Sequence, residues 1–309
     1  MGKTKLKIGY LPIIDHLILG ITKHKIDNQL EKNEFFDIEL VQKFGWNEVG
    51  DSLIDGSIDV AFMLAPYAMD IYFAKKNVKL ILLSHRDGSI IVTNKRANIS
   101  SLKDFKNKTV LIPYQASMHH VIFHKLIQAE GLTLGIGKDV MTEVVAPGQI
   151  PMMIEYDSEG IIAGYIVAEP FGTMVVNAGF GEILKLSKEI MPSHPFCAII
   201  ARDEIVEKYP EAVQELVNSF VQSGLSAKNN IGETVKIATS FLNQKEDVIK
   251  TILEDPRERV STDKLMPVLK ELDEMQNYLV DTVSVPSISG KIDLEKFVDL
   301  KFAAAAGAK

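Results

Sequence analysis

Two stretches of this chain carry the side chains best suited to holding a small charged molecule. Trp46 is the single tryptophan. It follows Gly45 and begins a stripe, Trp46, Val49, Leu53 and Ile54, spaced as one face of a helix. An indole at a helix start can wall a pocket and donate one N–H, although the same residue is equally suited to anchoring a core. The second stretch is Tyr114-Gln115-Ala116-Ser117-Met118-His119-His120. Ser117 is a good helix N-cap, and the unpaired backbone N–H groups of the turn it opens attract anions. Adjacent helix residues point about 100° apart, so His119 and His120 cannot both face one ligand. His119 is the better candidate, and His120 reads as facing solvent.

Other groups allow more than one reading. His120 and His124 stand at i, i+4, a spacing able to chelate zinc, but the run His120-Val121-Ile122-Phe123-His124 lacks a metalloprotease glutamate and its middle looks like packing. Arg86 offers a planar fork to a carboxylate or sulfonate, or pairs with Asp87 or a surface acid. Gly88 permits a close approach to backbone. Glu169, before Pro170 at the end of an apolar strand, has a raised pKa if buried unpaired, or simply reaches water. The single cysteine, Cys197, excludes an internal disulfide and a multi-cysteine metal site, and reads as a small buried apolar residue. No nucleophile elbow, phosphate loop or dinucleotide turn is present, which lowers the expectation of an enzyme. Neither a cofactor nor a resident metal is expected.

These residues need elements to position them. Leu6, Ile8 and Tyr10 alternate as a strand ending at Pro12, and residues 17–30 form a helix. Strands are predicted near 36–40, 58–63, 80–83, 89–93, 109–112, 144–145, 161–167 and 196–200. Helices are predicted after Trp46, Pro66 and Ser117, with a short one between the strands at 144–145 and 161–167. After Tyr209-Pro210 helices dominate, near 213–225, 233–243, 245–254, 262–283 and 293–302. Strands alternating with helices imply parallel sheets, whose ligands sit beyond the carboxyl ends of the strands.

Length and composition set the frame. The 309 residues favour two domains, and 46% apolar with 24% charged residues fits a packed globular protein. A net charge of -7, with 34 Lys and Arg against 41 Asp and Glu, argues against nucleic acid as a partner. No apolar run is long enough for a membrane helix. The basic start lacks a secretory apolar segment, so either the protein is cytosolic or a leader has been removed. The Ala303–Gly307 tail is of low complexity and is expected to fray.

Over residues 5–225 the chain resembles the solute-binding proteins of the nitrate/sulfonate/taurine/bicarbonate class of ABC importers, similar in fold to pyrimidine-precursor proteins of thiamine metabolism. The resemblance is carried by Ile8-Gly9-Tyr10-Leu11-Pro12, by Trp46-Asn47-Glu48, by Asp55-Gly56-Ser57-Ile58-Asp59-Val60-Ala61-Phe62-Met63-Leu64-Ala65-Pro66, by Tyr114 to His119 and by Ala168-Glu169-Pro170-Phe171. It implies an α/β, two-lobed venus-flytrap fold (periplasmic binding protein type II) with two sheets of parallel type, two crossover strands and a helical C-terminal third. Lobe 1 would be residues 1–90 plus 197–309 and lobe 2 residues 91–196, with crossings near 89–93 and 194–198.

The resemblance further implies a monomeric, extracytoplasmic binding protein whose leader is absent from this sequence. It would pass a small anion (nitrate, bicarbonate, sulfonate or small carboxylate) to an ABC transporter permease in the membrane. Trp46, Gly88, Ser89 and His119 match positions where the nitrate/bicarbonate branch touches its anion. With the neighbouring loops, the expected ligand-binding set is Pro12, Trp46, Asn47, Pro66, Arg86, Gly88, Ser89, Ser117, His119 and Glu169. Arg86 and Asp87 depart from the nitrate pattern and leave room for a larger anion. The alternatives are a cytosolic thiamine-precursor-like enzyme, disfavoured by the lone cysteine, and a ligand-sensing module.

Overall fold

The computed structural model describes residues 2–283 and 289–309. The strands are β1 (Thr4–Tyr10), β2 (Phe36–Gln42), β3 (Val60–Leu64), β4 (Val78–Leu83), β5 (Arg86–Asp87), β6 (Ser89–Asn94), β7 (Thr109–Ile112), β8 (Met141–Val144), β9 (Ile162–Ala168), β10 (Gly181–Leu186), β11 (Cys197–Arg202) and β12 (Val260–Ser261). The first helices are α1 (Leu17–Asp27), α2 (Trp46–Asp55), α3 (Ala65–Lys75), α4 (Met118–Gln128), α5 (Ile150–Tyr156) and α6 (Phe171–Asn177). The remainder are α7 (Asp203–Lys208), α8 (Pro210–Asn229), α9 (Ile231–Leu242), α10 (Glu246–Leu253), α11 (Leu269–Asn277), α12 (Leu294–Phe297) and α13 (Leu300–Ala305). Among the described residues, none of these helices is long and apolar enough to cross a membrane.

Two five-stranded sheets carry the two lobes. The first has the order β2-β1-β3-β11-β4 and the second β10-β6-β9-β7-β8. β1 runs parallel to β2 and β3, while β11 lies antiparallel between β3 and β4. In the second sheet β9 and β8 flank β7 in parallel, and β6 is antiparallel to β9 and β10. The chain therefore leaves the first sheet after β4, enters the second at β6, and returns between β10 and β11. Apolar pattern decides strand position. Every residue of β3 and β9 is buried, as an interior strand flanked by helices requires, whereas Phe36 and Ile38 of edge strand β2 are buried and Asp37 between them is exposed. The stripe Val213, Leu216, Val217 and Phe220 of α8 packs beneath the first sheet.

The structure differs from the sequence expectations most clearly in four places. The predicted helix over 262–283 begins only at Leu269. Pro267 biases Met266 away from helical backbone, and residues 262–266 are instead irregular, with Leu83 N–H donating to Leu265 O and Thr262 Oγ1 to Gly224 O. The predicted helix over 293–302 is broken at Val298 and Asp299, where Asp299 N–H donates to Leu80 O. The C-terminal tail does not fray: Phe302 and Ala303 are buried, and Met266 N–H donates to Lys309 O. β10 escaped prediction; its pairing with β6 shifts register between Ile183 and Lys185, which breaks strict alternation.

Candidate functional site

The loops at the carboxyl edges of both sheets meet in the interior. The turn after β1 supplies Asp15 and His16, the passage after β4 supplies Ser84 to Gly88, and β11, being antiparallel, places its first residue, Cys197, beside Leu64 at the end of β3. From the facing side come His119 of α4 and the end of β9. Ile14 N–H donates to Glu169 O at 2.8 Å, and Glu169 N–H to Gly88 O at 3.4 Å, so the two edges are hydrogen-bonded to each other. Buried side-chain polar atoms that lack a partner among the described residues concentrate here: Asp15 Oδ1, His16 Nε2, Trp46 Nε1, Ser84 Oγ, His85 Nδ1, His119 Nδ1 and His194 Nε2. Buried polar groups are nearly always paired, so such a concentration marks a place built to receive something.

Two of these atoms can be assigned as donors. Trp46 is 2% exposed and its indole N–H is a donor by chemistry. His16 Nδ1 stands 3.0 Å from Leu11 N, and Leu11 O already accepts from Ile13 N–H at 2.8 Å. His16 Nδ1 is also 3.0 Å from Leu11 O, but that carbonyl already has a donor, whereas the buried Leu11 N–H has no other acceptor among the described residues; we therefore assign Nδ1 as the acceptor and the proton to Nε2. Burial, and then the neighbouring His85, hold the His16 pKa well below 6.5. The His16 and Trp46 rings meet edge to face, with centroids 5.9 Å apart. Two buried N–H groups without acceptors among the described residues thus belong to adjacent rings.

α4 contributes from the other lobe. Ser117 accepts from His120 N–H at 3.2 Å and donates to Tyr114 O, and among the described residues the N–H groups of Met118 and His119 have no acceptor. His119 is fully buried, its Nε2 lies 3.1 Å from Ser89 Oγ, and burial holds its pKa well below 6.5. Phe196 lies among His85, His119 and His194, with ring centroids 5.7, 4.4 and 5.4 Å away. His120, expected to face solvent, is 7% exposed and its Nδ1 meets Gln115 O at 3.1 Å; the tight α4 start folds it inward. Burial lowers its pKa to about 4.

These histidines give stability a pH dependence of definite sign. The unfolded chain takes up their protons near 6.5 and the folded chain does not, so stability is full above about 6.5 and is lost as pH falls through the depressed values. For His120, a fall from 6.5 to about 4 corresponds to roughly 3 kcal/mol. Urea unfolding at several pH values between 7.5 and 4.5 should show this loss, and His120→Gln should make it shallower. A parallel pH profile in the variant would contradict the assignment.

The structure brings Trp46, Gly88, Ser89, Ser117 and His119 to this interior but uses other expected residues differently. Arg86 does not face it. Its guanidinium donates to Lys264 O, Ser193 O, Met266 O and Glu271 Oε2, stapling the C-terminal third in place. Glu169 neither reaches water nor stands unpaired: it is 1% exposed and held by Arg259, Thr173 N–H and Thr173 Oγ1. Pro12 lines a cavity of about 340 Å³ with Phe44 and Gly45 on one side and Pro147, Gly148 and Phe171 on the other. Asn47 is exposed, and Pro66 is buried in the first turn of α3. Sequence reading passed over Asp15, His16, His85 and His194. Asp15 and His16 stand in the loop after Pro12, and their position past a strand end was the available signal.

Comparison with known proteins now decides the family. A family model described as the NMT1-like family matches residues 1–239. The chain belongs to the NMT1-like family. The chain is 27% identical over 240 residues to the nitrate/nitrite binding protein NrtA of Nostoc, covering 71% of this chain and 53% of that protein. It is 25% identical over 238 residues to the nitrate import ATP-binding protein NrtC of Synechocystis, covering 72% of this chain and 35% of that protein. The chain thus spans about half or less of these curated relatives. A ligand-binding component of an ABC-type import system from Staphylococcus aureus, solved with zinc bound, superposes with a TM-score of 0.85 at 25% identity, covering 98% and 99% of the two chains. The periplasmic nitrate-binding protein NrtA of Synechocystis gives the same TM-score of 0.85 at 18% identity over 99% and 88%, and shows the shared two-lobed periplasmic binding protein fold.

Proposed function

We propose that this protein is the solute-binding component of an ABC import system and holds a small anion between its lobes. The observation that carries the reading is the pair of buried, acceptor-less N–H groups, Trp46 Nε1 and His16 Nε2. Ser89, His119 and the open N-terminal turn of α4 support it from the second lobe. The relatives named by role are components of import systems, which favours a binding protein over an enzyme. In this reading lobe 1 is residues 1–90 plus 197–309, lobe 2 is residues 91–196, and the lobes swing about the two chain passages. The working form is a monomer outside the cytoplasm, its partner a membrane permease that recognises the closed shape.

Nitrate, bicarbonate, methanesulfonate and acetate are the anions to try, with zinc added because the Staphylococcus aureus relative was solved with it. Thermal unfolding should shift for at least one anion, since a ligand at 100 times its Kd adds about 2.7 kcal/mol. No shift with any of the anions would overturn the reading. For the anion that binds, His119→Ala should weaken affinity at least tenfold, the loss of one hydrogen bond to a charged group. His120→Ala, whose imidazole is turned to Gln115 O, should change it less than twofold; the reverse order would contradict the geometry.

A further inference from the structure

Asp15, His85 and Cys197 come from three separate stretches and meet at the carboxyl edge of the first sheet. All three are buried, and one donor atom from each lies within 4.8 Å of the other two. His85 Nε2 stands 3.2 Å from Asp15 Oδ2, and Cys197 Sγ stands 3.9 Å from the same oxygen. A tetrahedral ion with bonds of about 2.0–2.3 Å holds its donors roughly 3.3–3.7 Å apart, so the two separations from Asp15 Oδ2 lie within a few tenths of an ångström of that range, and His85 and Cys197 would close from at most 4.8 Å.

A second observation concerns the other polar atoms of the same side chains. Asp15 Oδ1 and His85 Nδ1 have no partner among the described residues, and each lies 3.0 Å from the point where a Gly88 Cβ would stand. Gly88 has φ of +96°, which glycine adopts freely, so the residue that leaves this room is also the one its backbone requires. A buried carboxylate calls for a counter-charge. The two buried guanidinium groups are engaged elsewhere, Arg86 with the C-terminal third and Arg259 with Glu169 and Asp255.

We propose that Asp15, His85 and Cys197 form a binding site for one divalent transition-metal ion of the zinc class. Sulfur, imidazole and carboxylate together suit zinc or cobalt, whereas magnesium and calcium take oxygen ligands throughout. Three protein ligands leave a tetrahedral ion one position for water or a solute atom. On binding, the Cys197 S–H bond breaks, a sulfur–metal bond forms, and the proton passes to solvent. The inference needs no importer and does not rest on the anion.

The test is a cobalt(II) titration of the whole protein after treatment with a chelator. The expected result is one equivalent bound, with a sulfur-to-cobalt charge-transfer band in the near ultraviolet, discharged by one equivalent of zinc. Cys197→Ser should abolish the band. His85→Ala should weaken cobalt binding by more than the about 10–100-fold typical of losing an outer-sphere partner. His124→Ala, whose Nδ1 meets Tyr278 Oη instead, should leave binding unchanged. Folded wild-type protein that binds no cobalt, or binds it without the sulfur band, overturns the proposal, as does a band that depends on His124. Anion-induced thermal shifts in the chelated protein are a separate readout, so failure of one proposal is distinguishable from failure of the other.

Discussion

Replacing Arg259 by methionine is expected to destabilise the protein by about 3–5 kcal/mol, the usual result of removing one partner from a buried ion pair. The Arg259 side chain is 4% exposed and that of Glu169 1% exposed. The guanidinium donates to Glu169, to Thr173 Oγ1 at 2.8 Å and to Asp255 Oδ2 at 2.7 Å, while Arg259 O accepts from Gly88 N–H at 2.9 Å. One residue of the C-terminal third thus ties the end of β9 to the loop beside the cluster. Burial raises the Glu169 pKa, and Arg259 and Thr173 pull it back. Without Arg259 the raising effect stands less opposed. An acid whose folded pKa is raised loses stability as pH climbs through that value, so the variant's deficit should grow from pH 5 to pH 8. Adding Glu169→Gln should recover part of the loss, because the stranded charge is gone. Chemical unfolding of the three proteins checks this; a pH-independent deficit below 1 kcal/mol would contradict it.

The second large effect concerns binding. Trp46→Phe keeps an aromatic ring beside His16 and removes the indole N–H. For whichever of nitrate, bicarbonate, methanesulfonate or acetate binds the wild type, affinity should fall by roughly 10–150-fold, the worth of a hydrogen bond to a charged group at about 1.5–3 kcal/mol. His16→Leu should do the same for Nε2, with an added stability cost because Leu11 N–H loses its acceptor. The two changes together should cost less than the sum of the single losses, since both groups would serve one guest. Calorimetric titration of the four proteins reads all of this. Unchanged affinity in Trp46→Phe would place the indole in the core alone.

The fold was legible because its signals are local. Alternation in β1 and β2, the Trp46 stripe and the Ser117 cap each depend on a few neighbouring residues, and each became the predicted element. The C-terminal third was less legible because its structure answers to distant partners. Residues 262–266 are held by hydrogen bonds with Leu83 and Lys309, which no local periodicity announces. The site divides in the same way. Trp46 and His119 were found from a helix start, whereas Asp15, His85 and Cys197 lie on separate stretches brought together by the pairing of β3 with β1 and of β11 with β3 and β4. Cys197 was read as a small apolar residue from its apolar neighbours; it is buried as expected, and the carboxylate beside it became visible only in three dimensions. Arg86 shows the converse, a fork that sequence offered to a ligand and that folding assigns to backbone carbonyls.

One tryptophan gives one indole N–H resonance, and that resonance answers the question most directly. In a proton–nitrogen spectrum of uniformly labelled protein, titration with nitrate, bicarbonate, methanesulfonate and acetate in turn should move the Trp46 signal downfield for at least one of them, in step with the rise in thermal stability, as the N–H gains an acceptor. A signal that stays in place through every titration, or stability that rises with an anion while the indole does not respond, would contradict a guest held by Trp46 between the lobes.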